Sequence, residues 1–214
     1  MFEWSEEHQM IRDAVKRFID EEVRPHVEEL EHGDTPPYDI LRKMFKTFGM
    51  DAMARQRFEK QIAREKAGTP VEAKEPRGDG GMTMIPTIEL CRVCPGMVTA
   101  MGVSVGLTSA AIMAKGTTRQ KERWTLDLLT LEKVGSWAIT EPGSGSDAFG
   151  SMKATARRDG DDYILNGSKT FITNGPYADT IVFICKFDEG NDPAERKIFS
   201  FVLDKGTPGL EQSK

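Results

Sequence analysis

Histidine and cysteine are scarce in this 214-residue chain, and its basic residues are never gathered into a block. Three cysteines, an odd number, do not make the paired framework of a small secreted domain. Cys91 and Cys94 form one C-x-x-C, but no second pair follows, and all three histidines lie within the first 32 residues. A structural zinc site takes about four ligands. The cysteines therefore read as reduced thiols on a buried helix, and no metal site is expected. A formal net charge of −5 without a basic stripe removes the electrostatic footing for nucleic-acid binding. The opening Met1-Phe-Glu-Trp-Ser-Glu-Glu shows neither a basic segment leading into an apolar core nor an Arg-rich presequence. A cytoplasmic chain is expected, or a mitochondrial-matrix one if the protein is processed in an organelle. One apolar run, 97–114, carries no charge over a length that could span a bilayer. Thr99, Gly102, Ser104, Gly106, Thr108 and Ser109 interrupt it, so no membrane span is expected. It reads instead as a fully buried helix whose small residues admit a neighbouring helix or a ligand.

The length suffices for one large or two small domains. The first ~130 residues read as helical from apolar spacing. Ser5 caps a helix carrying Ile11, Val15, Phe18, Ile19 and Val23, which Pro25 ends or kinks. A second helix opens at Pro36-Pro37, buries Ile40, Leu41, Met44, Phe45 and Phe48, and stops at Gly49. Residues 51–66 form a charged helix, and 67–81 a solvated loop. Helix resumes near Thr87, runs through the apolar segment and breaks at Gly116; Thr117 or Thr118 then caps a last helix with Trp124, Leu128 and Leu131. From Gly135 the pattern changes to strands: a hairpin from 154–158 to 162–165, then 180–187 and 198–203. Asn166-Gly167 is the strongest two-residue turn signal. The expectation is an α+β multidomain chain, with an all-α domain over 1–134 and a small antiparallel β-barrel-like domain over 135–214.

Two loops carry the chemistry. Trp137-Ala-Ile-Thr-Glu-Pro-Gly-Ser-Gly-Ser-Asp147 is a short strand running into small and hydroxyl residues, which suits an anionic group pressed against the main chain. It lacks the lysine of a P-loop, and no helix follows it, so neither a P-loop nor a Rossmann fingerprint is satisfied. Asn166-Gly-Ser-Lys-Thr-Phe-Ile-Thr-Asn174 is a second loop of the same character around an aromatic. Taken singly, Gly143–Ser146 fits an ordinary β-loop as well as a phosphate cradle, Asn174-Gly175-Pro176 passes as a plain turn, and Phe171 fits a core position.

In this order, behind a helical bundle ending in G-T-T-R-Q-K-E-R-W, the two motifs closely resemble the acyl-CoA dehydrogenase family of flavoenzymes. The resemblance covers the family's N-terminal helical and middle β domains, nearly all residues except about 55–86. It implies FAD held in extended form. Trp137 and Ile139 (backbone) and Thr140 (side chain) would face the flavin pyrimidine end. Gly145 and Ser146 would approach the pyrophosphate, with Ser146 also near the CoA arm of a thioester. Phe171 would lie beside the isoalloxazine, and Thr173 would offer its hydroxyl to flavin N5. Ala100, Val103 and Leu107 would line the acyl cavity.

The implied activity is α,β-dehydrogenation of an acyl-CoA, with electrons passed to electron-transfer flavoprotein or a similar acceptor, in a homo-oligomer or with a partner subunit. A flavin monooxygenase or oxidase of the same fold, and a non-catalytic FAD/CoA-binding subunit, remain alternatives. The family's C-terminal helical domain, which supplies the catalytic glutamate in most members, has no counterpart in this sequence, so the base is expected outside it. Glu141 reads as an orienting residue for its loop, and 55–83 as an insertion or a lid.

Overall fold

The computed structural model describes residues 4–68 and 79–214. Helix α1 (Glu6–Glu22) starts where Ser5 accepts from the His8 N–H at 3.2 Å while His8 Nδ1 accepts from the Ser5 N–H, a reciprocal cap that closes two otherwise open donors. Val15, Phe18 and Ile19 form its buried stripe. Pro25 cannot extend the ladder, so a 3₁₀ turn (Arg24–His26) leads into the short α2 (Val27–His32). Helix α3 (Tyr38–Thr47) buries Tyr38, Leu41, Met44 and Phe45. Gly49, at φ 64°, reverses the chain directly into α4 (Met50–Lys66).

Helix α4 buries only Phe58 and Ile62, and it is held along α8 (Thr118–Leu129) by ion pairs as well: Lys121–Glu65 at 2.7 Å and Lys66–Glu122 at 2.6 Å. Of the solvated loop expected over 67–81, residues 69–78 lie outside the described residues. Gly80 and Gly81 instead belong to α5 (Gly80–Cys91), which starts well before Thr87 because Asp79 caps it, accepting from the Gly81 N–H at 2.8 Å. Pro86 sits inside this helix, tolerated because Ile85 and Leu90 anchor the helix in the core.

The apolar run is not one fully buried helix. It divides into α6 (Pro95–Gly102), a π-helical segment (Val103–Thr108) and α7 (Ser109–Lys115). Residues Pro95–Lys115 are long and apolar enough to cross a membrane by length and composition, yet Met97, Ala100, Ser104, Thr108, Ser109 and Ile112 are packed into the protein. Gly102, Gly106, Leu107 and Ala110 face outward. Two of the buried hydroxyls are satisfied within the run itself, Thr108 donating to the Val103 carbonyl and Ser109 to that of Val105, so this face can pack in the interior. Helix α8 begins with a reciprocal cap between Thr117 and Gln120. It ends at Leu129, so the fully buried Leu131 lies beyond it, in the left-handed region at φ 59°.

The β region is a mixed five-stranded sheet, neither wholly antiparallel nor closed into a barrel. Strand β4 (Thr180–Asp188) is its spine. On one side it pairs antiparallel with β5 (Ile198–Asp204); on the other it pairs parallel with β1 (Gly135–Ala138) and, further along, with β2 (Thr155–Asp159). Parallel pairing requires a crossover, which 139–154 and the β2–β3 hairpin supply. The hairpin turn to β3 (Asp162–Asn166) is Gly160-Asp161, with Gly160 at φ 60°. Asn166-Gly167, the stronger signal in sequence, is no hairpin turn. Gly167 passes so near Ala154 that an added Cβ would lie 2.8 Å from its Cα, so this glycine answers a close approach.

Two cores result. One packs α1, α3, α5 and α6; the other packs Ile112, Trp124 and Leu128 of the helices against Ala156, Ile181, Val182, Phe183, Ile184 and Cys185 of the sheet. The cysteines are free, with Cys94 and Cys185 buried but Cys91 exposed, and no metal-binding cluster occurs among the described residues.

Candidate functional site

The two motif loops meet at the C-terminal end of β1. The Thr170 N–H donates to the Thr140 carbonyl at 2.9 Å, which sets the second loop beside the first. Beneath that contact lies an ion pair that the sequence reading did not single out. Lys169 Nζ reaches both the Ile139 carbonyl at 3.0 Å and Glu141 Oε1 at 2.8 Å, with the two side chains only 6% and 8% exposed. Glu141 also accepts from the N–H groups of Lys153 at 2.7 Å and Ala154 at 2.9 Å, so one carboxylate holds both ends of the 141–154 loop. Burial alone would raise its pKa. The Lys169 ammonium and the two N–H donors outweigh that and hold the carboxyl below its ordinary value. The orienting role expected of Glu141 is what this geometry provides.

Within the loop, Glu141 and Ser144 exchange backbone hydrogen bonds at 3.1 and 3.2 Å, making a tight bend around Pro142-Gly143. Gly145 follows, where an added Cβ would meet only Thr140 Cγ2, at 3.7 Å. Among the described residues, the N–H groups of Gly145 and Ser146 and the hydroxyls of Thr140, Ser146 and Thr173 have no partner within the chain. Ser146 and Gly145 are exposed, and Thr140 and Thr173 half-buried. Phe171 is not a core residue: it is 93% exposed and held at φ 53°. A bulky residue in the left-handed region, turned out of the core, is an arrangement that folding alone does not favour.

The helical wall of the site is the π-helical segment. Ser104 Oγ accepts from the Gly135 N–H at 3.0 Å, and an added Cβ on Gly135 would come within 2.8 Å of Thr108 Cβ, so β1 and this segment touch through glycine. Thr108 returns its own hydroxyl to the Val103 carbonyl at 2.9 Å. π-Helical turns within α-helices concentrate at functional sites. Of the expected cavity residues, Ala100 is buried on α6, Val103 is half-buried and Leu107 is 49% exposed.

Asn174, read as part of a plain turn, is a buried junction. Its Nδ2 donates to the Ala100 carbonyl at 2.9 Å and the Gly135 carbonyl at 2.8 Å, while Oδ1 accepts from the Tyr38 hydroxyl at 3.0 Å. Burial pushes the Tyr38 phenol up to about 12, so it remains a neutral donor at any physiological pH. Neither Lys169 nor Asn174 has a periodicity that could reveal it. The only signal was a single lysine among small residues, and an Asn-Gly pair of ordinary turn composition.

A family model described as acyl-CoA dehydrogenase, N-terminal domain, matches residues 5–58 and 67–132, and one described as the middle domain matches 136–214. The chain therefore belongs to the acyl-CoA dehydrogenase family. The unmatched stretch, 59–66, is far shorter than the insertion expected from the sequence, and it forms the last turns of α4. The short-chain specific acyl-CoA dehydrogenase of Clostridium acetobutylicum is 31% identical over 100% of this chain and 52% of its own length. Among solved structures, the acyl-CoA dehydrogenase of Geobacillus kaustophilus superposes with a TM-score of 0.73 at 32% identity, over 96% of this chain and 50% of that one. The Bacillus anthracis acyl-CoA dehydrogenase, solved complexed with FAD, gives 0.69 at 30% identity, over 99% and 33%. The chain spans about half the length of the curated relatives it matches.

Proposed function

We propose that the cleft between the 137–147 loop, the 169–174 loop and the π-helical segment holds FAD for the α,β-dehydrogenation of an acyl-CoA thioester. The observation that carries this reading is the Thr170–Thr140 hydrogen bond. It sets side by side the two loops that carry the unpartnered hydroxyls of Thr140 and Thr173, the exposed Phe171 and the open N–H groups of Gly145 and Ser146, which supports reading them as one surface.

That surface fits the cofactor in its chemistry. Open N–H groups on a glycine-rich loop suit a pyrophosphate. The backbone at Trp137 and Ile139 and the hydroxyl of Thr140 suit the hydrogen-bonding edge of a flavin, and Phe171 would shield its ring plane from water. Thr173 would orient the ring's N5 by donating to it. When bound, the flavin supplies a hydride acceptor for the bond at the thioester's Cβ.

Ala100, Val103 and Leu107 would border the acyl chain, and Ser146 the CoA arm. The proton at Cα needs a carboxylate base. Glu141 is unsuited to that part, because its oxygens are engaged by Lys169 and two backbone donors and its pKa is depressed. The base is therefore proposed to come from outside this chain. Electrons would pass to an electron-transfer flavoprotein or similar carrier, in an oligomer, in the cytoplasm or mitochondrial matrix.

Ser146→Ala and Thr173→Ala test the placement. Each is expected to weaken FAD retention by roughly 5- to 30-fold, the loss of about 1–2 kcal/mol in hydrogen bonding. Equilibrium dialysis with FAD measures this, and unchanged retention in both variants would contradict the placement. Acyl-CoA-dependent peroxide formation by flavin-loaded protein without a carrier would favour an oxidase instead.

A further inference from the structure

We infer that Asn174 is a positioning residue that fixes the spacing between the flavin wall and the acyl wall of the cleft. The inference rests on the flavin-site reading above and extends it to a residue buried behind the site. Three elements that the reading needs in register converge on this one side chain. The Ala100 carbonyl belongs to the helix bordering the acyl chain, the Gly135 carbonyl opens the strand that continues to Trp137 and Thr140, and the Tyr38 hydroxyl comes from α3. Thr173, to which the proposed function gives the contact with flavin N5, is its immediate chain neighbour.

The chemistry selects asparagine at this point. Two carbonyl oxygens face the group and require a double donor, while the neutral Tyr38 hydroxyl requires an acceptor; a carboxamide satisfies all three at once. Aspartate would accept from Tyr38 but set a charged oxygen against both carbonyls. The backbone adds a second requirement, since φ at Asn174 is 66°, a region asparagine enters more readily than most residues. The side chain is 7% exposed, so water cannot replace what it gives up. Ala100, Gly135 and Thr173 are thereby held to one group, and a displacement of any of them is transmitted to the other two.

Asn174→Gly and Asn174→Asp separate the backbone requirement from the hydrogen bonds, because glycine keeps the left-handed conformation and removes only the side chain. Each variant of the 214-residue chain is loaded with FAD, and its visible absorption, bound-flavin reduction potential and FAD affinity are compared with the unaltered chain. Folding is checked by far-ultraviolet circular dichroism. The expected result is native dichroism for Asn174→Gly, FAD affinity lower by about tenfold, and a displaced flavin spectrum and potential. Tyr38→Phe, which removes only the donor to Oδ1, is expected to shift the spectrum in the same direction by less. Unchanged spectrum and potential in Asn174→Gly overturn the positioning role. If both Asn174 variants fail to fold, Tyr38→Phe decides, an unchanged flavin signature counting against the role. If the unaltered chain binds no FAD, the flavin-site reading falls and the inference falls with it, an outcome distinct from FAD binding that Asn174 does not influence.

Discussion

At the scale of single residues, the site depends on a few buried polar groups more than on the residues that would touch ligand. Glu141 and Lys169 are the main case. Neutralising one member of a buried pair leaves the other charge uncompensated, which costs about 3–5 kcal/mol. Glu141→Gln is therefore expected to destabilise the chain by an amount near the lower end of that range, measured by urea unfolding at pH 7, since the amide oxygen can still accept from one backbone N–H. Its dependence on pH has a definite sign. The folded carboxyl titrates below the ordinary glutamate value of 4.5, so the unfolded chain takes up the proton first as pH falls. The stabilisation is complete above that value and drains away as pH drops through the depressed folded value. Unfolding free energies of the unaltered chain and Glu141→Gln should converge as pH falls from 4.5 through the depressed folded value. A constant gap from pH 7 to pH 3 would show that the carboxylate charge does not stabilise the fold.

At the scale of elements, the contact between β1 and the π-helical segment fixes how closely the first motif loop's strand lies against the helices. Gly135→Ala would place a methyl 2.8 Å from Thr108 Cβ and 3.0 Å from Leu128 Cδ2, and threonine, branched at Cβ, has little room to turn. A cost of about 1–3 kcal/mol is expected, read as a lowered Tm. Ser104→Ala would orphan the Gly135 N–H and should cost about 1–3 kcal/mol by itself. The pair of variants should be non-additive, because they disturb one contact. Much of this level was legible in the sequence. Ser5, Pro25, Pro37, Gly49, Gly116 and Thr117 act locally, and each marked a boundary the structure keeps. What was not legible arises from tertiary partners. Asp79 starts α5 well before Thr87, where the residue pattern resumes the helix, and which face of the Pro95–Lys115 run is buried depends on packing that composition alone cannot assign. The parallel pairing of β1 and β2 with β4 was also missed, since alternation within a strand does not disclose which neighbour it will meet.

At the scale of the whole molecule, helices and sheet are joined by a shared apolar core and by polar contacts, and the segment after β5 is fastened back onto the 175–178 turn. Trp124 Nε1 donates to Asp204 at 2.7 Å, and Gln212 Nε2 bridges the Gly175 and Ala178 carbonyls at 2.7 and 3.0 Å. The two loops of the site were identifiable from their residue order, whereas the groups that hold them together, Lys169, Asn174 and Tyr38, were not, because each acts across more than 25 residues of sequence. Exposed apolar side chains occur on these same elements: Phe171 on the second loop, Phe149 just past the first and Leu107 on the π-helical segment. Such surface marks a face that a ligand or another polypeptide covers. With Glu141 committed to Lys169, the flavin-loaded 214-residue chain is expected to show no bleaching by butyryl-CoA, and bleaching would mean that a base within the chain has been overlooked. The most direct measurement of the central claim is a titration of FAD with the chain, followed by visible absorption and by the flavin retained after gel filtration. The account expects saturation at one FAD per chain with a displaced flavin band, both lost together in Glu141→Gln, where the loop clamp is broken. FAD that elutes free with an unaltered spectrum at every protein concentration would contradict it.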